Sequence, residues 1–190
     1  MQMRNHMLCR EPLPVAKATV IPDLTKAVLM KIHFIITGGT IDNCLQETGT
    51  TPTNSFVEQY VTRINRPPFE VTSRVLFLKD SREITEGDRR AMLREIQRCG
   101  SSHVIVTHGT FTMVETAQFL KVHLKTVAVV VTGAMVPMGE PGSDAELNLE
   151  FAFATIQAAS PGVWVGMHGK LWDPQHVRKN VERGMFESVV

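Results

Sequence analysis

The stretch that most restricts what this chain can become is Ile32 to Ile41, IHFIITGGTI, an apolar, β-branched run closed by two glycines and a threonine. A short apolar run bounded by Gly is how a strand buried on both faces of a parallel sheet reads, although periodicity alone leaves a buried helix open. Gly38 and Gly39 favour the strand, because they permit a turn that other residues could not trace and let a ligand approach the backbone. Thr40 then lies at a strand's carboxyl end, where open α/β sheets bind their ligands. The pattern returns at 104–112, VIVTHGTFT, and in part at 127–135, VAVVVTGAM. Three such runs predict parallel strands that deliver hydroxyl groups to one edge.

The elements between these runs alternate. Residues 42–55, DNCLQETGTTPTNS, have the composition of a mobile loop beside a site or of an ordinary connection. Phe56 to Asn65 carries Phe56, Val57, Tyr60, Val61 and Ile64 at helical spacing, with Asn54 or Ser55 as cap. Phe69 to Leu78 is expected as a second strand, followed by a helix opening at Thr85 and closing at Gly100. A third strand at Val104 to Val106 leads to a helix over Met113 to Leu124 with Val114, Ala117, Leu120 and Leu124 on its apolar face. A fourth strand over Val127 to Thr132, a loop at 136–143, a helix over Asp144 to Ala159 capped by Ser143, and a short strand at Val163 to Met167 complete the series. The rest is a tail rich in Arg and Lys. Alternation of this kind predicts an α/β fold with a doubly wound, mostly parallel sheet in three layers.

At 190 residues, 43% hydrophobic and 21% charged, the chain has enough apolar material for one core. The expected organisation is an extension over 1–29, irregular and rich in proline, and one domain over 30–190. A transit peptide is the functional alternative for the extension, weakened by Glu11 and Asp23. A net charge of +1, with no basic run interleaved with aromatics, argues against nucleic acid or an anionic membrane as partner. Cys9, Cys44 and Cys99 form no CxxC pair, which disfavours a disulfide framework or a zinc site and fits a reducing cytoplasm. No apolar stretch reaches the roughly 18 to 20 residues that span a bilayer.

The strand ends gather the candidate chemistry: Thr40, Ser81 and Thr110 for hydroxyls, Lys125 for an amine, and Gly39, Gly109 and Gly133 for accessible backbone N–H groups. A threonine hydroxyl is a poor nucleophile until a neighbour activates it, and each Thr taken alone is as well explained by a strand end or a helix cap. Their shared edge is what singles them out. Dinucleotide or phosphate binding at the first glycine pair is disfavoured, because neither GxGxxG nor GxxxxGK[ST] is present.

Four strings in order, TGGTI at 37–41, THGTFTMVETA at 107–117, VVVTGAM at 129–135 and SDAELNL at 143–149, resemble the motifs of the bacterial-type L-asparaginase family. The similarity runs from Lys31 to about Glu187 and covers that family's amino-terminal domain. The tail GVWVGMHGKLWDPQHVRKNVERGMFE is similar to that of short members containing only this domain. The smaller carboxyl-terminal domain that completes a neighbour's site in full-length members has no counterpart in these residues.

The resemblance implies hydrolysis of a small side-chain amide through an acyl-enzyme on Thr40. It also implies that Thr110 works beside a lysine, that Ser81 holds the substrate carboxylate, and that Gly39 and Gly109 line the pocket. Neither a metal nor an organic cofactor is implied, and assembly as a homo-oligomer, at least a dimer, is. Two positions depart from the pattern. Phe111 stands where the family has an Asp facing the substrate ammonium, and its ring could offer that ammonium only a cation–π contact. The lysine is expected six residues before Gly133, where Val127 stands; Lys125 lies two residues earlier, a shift of roughly 6 to 7 Å along a strand. These departures keep open an alternative, a catalytically degenerate amino-acid-binding or regulatory domain.

Overall fold

The computed structural model describes residues 29–45, 48–49, 51–65 and 67–189. The expected extension over 1–29 therefore falls, except for Leu29, outside the described residues. The described residues form eight strands and four helices: β1 (Met30–Gly38), α1 (Phe56–Ile64), β2 (Phe69–Lys79), α2 (Glu86–Arg98), β3 (His103–Thr107), α3 (Met113–His123), β4 (Ala128–Thr132), α4 (Ala145–Ile156), β5 (Gly162–Met167), β6 (Lys170–Trp172), β7 (Val177–Asn180) and β8 (Met185–Ser188). One sheet has the order β2-β1-β3-β4-β5-β6, parallel except for β6, and β7 and β8 pair antiparallel as a separate hairpin. Among the described residues no helix is long and apolar enough to cross a membrane.

β1 lies between β2 and β3 and is parallel to both. Its side chains alternate between two cores. Ile32, Phe34 and Ile36 pack with Val57, Tyr60 and Val61 of α1 and Leu149, Ala152 and Ile156 of α4. Ile35 packs on the other face with Met92 and Ile96 of α2 and with Met113, Ala117 and Leu120 of α3. Being buried on both sides, the strand reads as a continuous apolar run instead of an alternating one. Helices on both faces give the expected three layers, and the chain reverses its direction of winding between β1 and β3.

Local signals account for the element ends. Ser55 caps α1, its hydroxyl accepting from the Glu58 N–H. Thr85 and Asp88 form a reciprocal capping box at α2, and Gly100, at φ 69°, follows that helix. α4 departs from expectation, because its cap is Asp144 and not Ser143, and the Asp144 carboxylate bonds outward to the preceding loop. The tail after β5 also differs, being folded into β6 and the β7–β8 hairpin. Strands of three and four residues are too short for period-2 patterning to reveal.

The reversal point puts two backbones against each other. Gly39 has φ 83°, and a Cβ added there would lie 2.3 Å from both the Cα and the N of Gly109. Gly109 is constrained by contact alone, since a Cβ on it would come within 2.6 Å of Ser81 Oγ. Gly39→Ala therefore combines a backbone conformation costing about 1 to 3 kcal/mol with overpacking of about 1 to 3 kcal/mol. We expect urea unfolding to show a loss of about 2 to 6 kcal/mol. A loss below about 1 kcal/mol would mean that the strand ends can separate freely.

Candidate active site

Thr40, Ser81 and Thr110 do meet at the carboxyl edge of the sheet. Thr40 opens a single 3₁₀ turn directly after β1 and is half-buried. Ser81 opens another such turn after β2 and is 2% exposed, and Thr110, in the turn between β3 and α3, is equally buried. The contacts of Gly39 with Gly109, and of Gly109 with Ser81, bring the three turns together. Gly39 supplies space and not a free donor, because its N–H already donates to Lys79 O at 2.8 Å. Thr112, which sequence patterning treats only as the end of a motif, donates its hydroxyl to Ser81 O at 2.6 Å and fixes the β2 turn to the start of α3.

Lys125 is not at this edge. It precedes β4, whose first residue Ala128 pairs with His103 at the start of β3, so it stands at the amino ends of the strands. Its Nζ donates to Lys121 O at 3.0 Å, in the last turn of α3. The amine beside Thr110 comes instead from the β7–β8 hairpin, where Lys179 Nζ donates to Thr110 Oγ1 at 2.7 Å. The amine found beside Thr110 is thus on a later segment than the one sequence comparison pointed to. HVRKN is too short to announce Lys179 in the sequence; the structure shows Val177 and Lys179 on one face of β7, with Val177 buried in the core.

Phe111 is 40% exposed, and its ring contacts two cations of the protein itself. Lys179 Nζ lies 3.8 Å from the ring centroid and Arg82 Cζ 4.5 Å from it. The cation–π contacts that the ring makes in this structure are thus with Arg82 and Lys179 of the protein itself. Arg82 is also held by Asp80, whose Oδ1 accepts from the Arg82 backbone N–H and Nε–H and whose Oδ2 accepts from Nη2 at 2.7 Å.

Behind the site lies a polar lattice. Thr37 donates to Thr107 O at 2.7 Å and Thr132 donates to Gly166 O at 2.8 Å, tying neighbouring strand ends together. Asp144 Oδ1 accepts the N–H groups of Met135 and Val136, while its Oδ2 accepts from Asn148, which also donates to Gly133 O. Asp42, fully buried, accepts from the Ser55 hydroxyl and the Phe56 and Val57 N–H groups, so one carboxylate joins both ends of the 43–55 loop. Burial pushes that carboxyl up, against the pull of these hydrogen bonds. Among the described residues no group of three or more His, Cys, Asp or Glu could hold a metal ion.

The family model for the asparaginase N-terminal domain matches residues 31–189. The chain belongs to the asparaginase family. It is 28% identical over 168 residues to the L-asparaginase of Thermococcus kodakarensis, covering 84% of this chain and 51% of that protein. The solved structure of that enzyme superposes with a TM-score of 0.74, again covering 84% of this chain and 51% of the other. A probable cytoplasmic L-asparaginase from Campylobacter jejuni, 26% identical, gives a TM-score of 0.69 over 84% of this chain and 53% of its own. The family is functionally wider than one name: 75 residues, 39% of this chain, are 40% identical to 17% of a glutamyl-tRNA(Gln) amidotransferase protein from Methanobrevibacter smithii. The chain spans about half the length of the L-asparaginases it matches.

His108, in the THGT string of this family, is fully buried and holds the turn that carries Thr110. One ring nitrogen, Nδ1, is 2.8 Å from Gly109 O, and the other, Nε2, is 2.9 Å from Thr116 Oγ1, which in turn accepts from Arg89 Nε. A neutral ring satisfies both contacts, donating to the Gly109 carbonyl and accepting from Thr116. Burial, followed by the nearby Arg89 charge, pulls the imidazole down to about 4 despite the opposing Gly109 bond. In the unfolded chain it titrates near 6.5, so between those values the unfolded state binds the extra proton. Stability contributed by the neutral ring is present above pH ~6.5 and declines as pH falls toward ~4, by on the order of 2 to 3 kcal/mol. Urea midpoints across that range should show the decline in the wild type and a smaller one in His108→Asn. Identical profiles would remove His108 as the cause.

Proposed function

We propose that this domain is an amidohydrolase that releases ammonia from a small side-chain amide through an acyl-enzyme on Thr40. The observation that carries the proposal is the 2.7 Å bond from Lys179 to Thr110, made beside the Gly39–Gly109 contact. A hydroxyl needs a base to become a nucleophile, and a lysine amine that has given up its proton is such a base. In this scheme the Thr40 Oγ attacks the amide carbon and its proton passes to the Thr110–Lys179 pair. Backbone N–H groups of the turns after Gly39 and Gly109 stabilise the oxyanion. Collapse of the tetrahedral species expels ammonia, which leaves with that proton, and water then hydrolyses the Thr40 ester. Ser81 takes the substrate carboxylate. The family membership and the similarity to L-asparaginases support the reaction class.

One observation favours the alternative, a binding or regulatory domain that has lost turnover: Phe111, a residue with no charge to offer, stands next to Thr110. Ammonia release from L-asparagine and L-glutamine, followed with a coupled assay, separates the two. Thr40→Ala and Lys179→Met are expected to lower turnover by at least about a hundredfold, the usual scale for a positioned nucleophile or base. Lys125→Ala should leave it within about twofold, since its amine stands at the opposite ends of the strands. Equal activity of wild type and Lys179→Met, or a loss confined to Lys125→Ala, would refute the assignment.

The proposal includes a cytoplasmic setting, as expected from three cysteines without paired spacing, and assembly as a C2 dimer, as expected from the family resemblance. A dimer should sediment at twice the 21.2 kDa of the chain. A monomer at all concentrations would exclude that assembly.

A further inference from the structure

We propose that Arg89, on α2, is a positioning residue that acts through Thr116 and His108 to orient and polarise the Thr110 N–H as a donor to the oxyanion. This deepens the amidohydrolase reading and rests on it for the reaction that the donor serves. The three side chains form one continuous relay. Arg89 Nε–H donates to Thr116 Oγ1 at 3.0 Å, the Thr116 hydroxyl donates to His108 Nε2 at 2.9 Å, and His108 Nδ1–H donates to Gly109 O at 2.8 Å. The two ends of the relay place every proton between them. A guanidinium can only donate and a carbonyl can only accept, so a neutral ring here carries its proton on Nδ1 and takes the Thr116 hydroxyl on Nε2. Thr116 and His108 are wholly buried and Arg89 is half-buried, so water has little access to these bonds.

The last acceptor belongs to the peptide that links Gly109 to Thr110. That peptide is trans, the one cis bond among the described residues being Pro67–Pro68. A trans peptide points its C=O and its N–H in opposite directions, so holding the Gly109 carbonyl against the buried ring turns the Thr110 N–H away from it. Glycine places few limits on rotation of this unit, and the direction of the N–H therefore depends on what holds the carbonyl. A chain of hydrogen bonds that begins on a charge also polarises its members, and a carbonyl drawn on in this way leaves the N–H of the same peptide a stronger donor. Lys179 bonds the Thr110 hydroxyl while the relay bonds the carbonyl paired with its N–H, so the base and the oxyanion donor are set by separate groups.

Thr116→Val removes the relay hydroxyl at nearly constant volume, Thr116→Ser keeps it, and Arg89→Met removes the charge from a half-buried site. With L-asparagine and L-glutamine, Thr116→Val should lower kcat at least about tenfold with KM within about twofold, part of the hundredfold or more that loss of one oxyanion donor costs. Arg89→Met should lower kcat at least about threefold with the same split, and Thr116→Ser should stay within about twofold of wild type. NMR reads the relay without turnover. Wild-type ¹⁵N spectra should show His108 protonated on Nδ1 and bare on Nε2, and in Thr116→Val both the Nε2 signal and the Thr110 amide proton should move. Should Thr116→Val not fold, Arg89→Met is read in its place. If the NMR signals behave as stated but the wild type releases ammonia from neither amide, the relay stands and the hydrolytic reading fails. The proposal is overturned by a wild-type ring protonated on Nε2, by a Thr110 amide proton that does not respond, or by an active enzyme in which Thr116→Val leaves kcat unchanged or changes KM alone. A Thr116→Ser enzyme as impaired as Thr116→Val would overturn it as well, because packing and not the hydroxyl would then be the cause.

Discussion

Everything at the active edge depends on how closely two glycine backbones approach where the sheet reverses its winding. Gly39 and Gly109 leave no room for a Cβ between them, and Gly109 leaves none for itself against Ser81. Three turns from three adjacent strands are thus packed closely, the first two through main chain and the third through the Ser81 side chain. That proximity is what converts isolated hydroxyls on Thr40, Ser81 and Thr110 into one candidate site. The remaining architecture serves this arrangement: β1 is buried on both faces, so its end cannot drift, and the crossovers place α1 and α4 on one face and α2 and α3 on the other.

Close packing of backbone brings polar groups inside, and buried polar groups must be paired. The strand-end threonines Thr37 and Thr132 meet this requirement by donating across to the next strand, and Asp144 and His108 meet it by gathering several groups each, whereas Asp42 gathers three donors on Oδ1 and leaves Oδ2 buried without a hydrogen-bond partner. A neutral histidine suits its place better than a charged one would, since a buried imidazolium beside Arg89 would face both desolvation and repulsion. Burial raises the Asp42 carboxyl and lowers the His108 imidazole, so these two supporting groups are held by their surroundings, while Lys179 and Thr110 share a hydrogen bond at the edge itself.

The fold was legible wherever a residue pattern repeated over five or more positions. The run at 32–41 announced the central strand, and the Thr-Gly endings placed Thr40 and Thr110 at one edge. Ser81 followed from its position after a strand. The lysine was not legible in the same way. Lys125 lay in a stretch that resembled the expected segment, but the parallel register puts it a full strand length from Thr110. Lys179 sits on a four-residue strand between Arg178 and Asn180, where a period of two has no room to show itself, and only the burial of Val177 in the core betrays which way it faces. At Phe111 the sequence shows an uncharged ring beside Thr110. It does not show that the ring's cationic contacts are internal ones, because these join Phe111 to Arg82 and Lys179, residues far away along the chain.

The origin of Lys179 on the hairpin has a consequence for how the site holds together. An isolated two-stranded hairpin is marginal in water, so β7–β8 must derive its order from what it touches. Val177 and Phe186 enter the core beneath α3, Asp173 pairs with Lys121 of α3 at 2.6 Å, and Gln118 of α3 donates to Pro174 O at 2.7 Å. The same helix begins shortly after Thr110, and Thr112 at its start is bonded to Ser81 O. α3 is therefore the common reference for hydroxyl and amine: one end of it fixes Thr110, and its outer face fixes the chain that carries Lys179. A shift of the hairpin along α3 would lengthen the 2.7 Å bond without disturbing the strands, so the integrity of the pair is set by packing on this one helix, well away from the sheet that places Thr40.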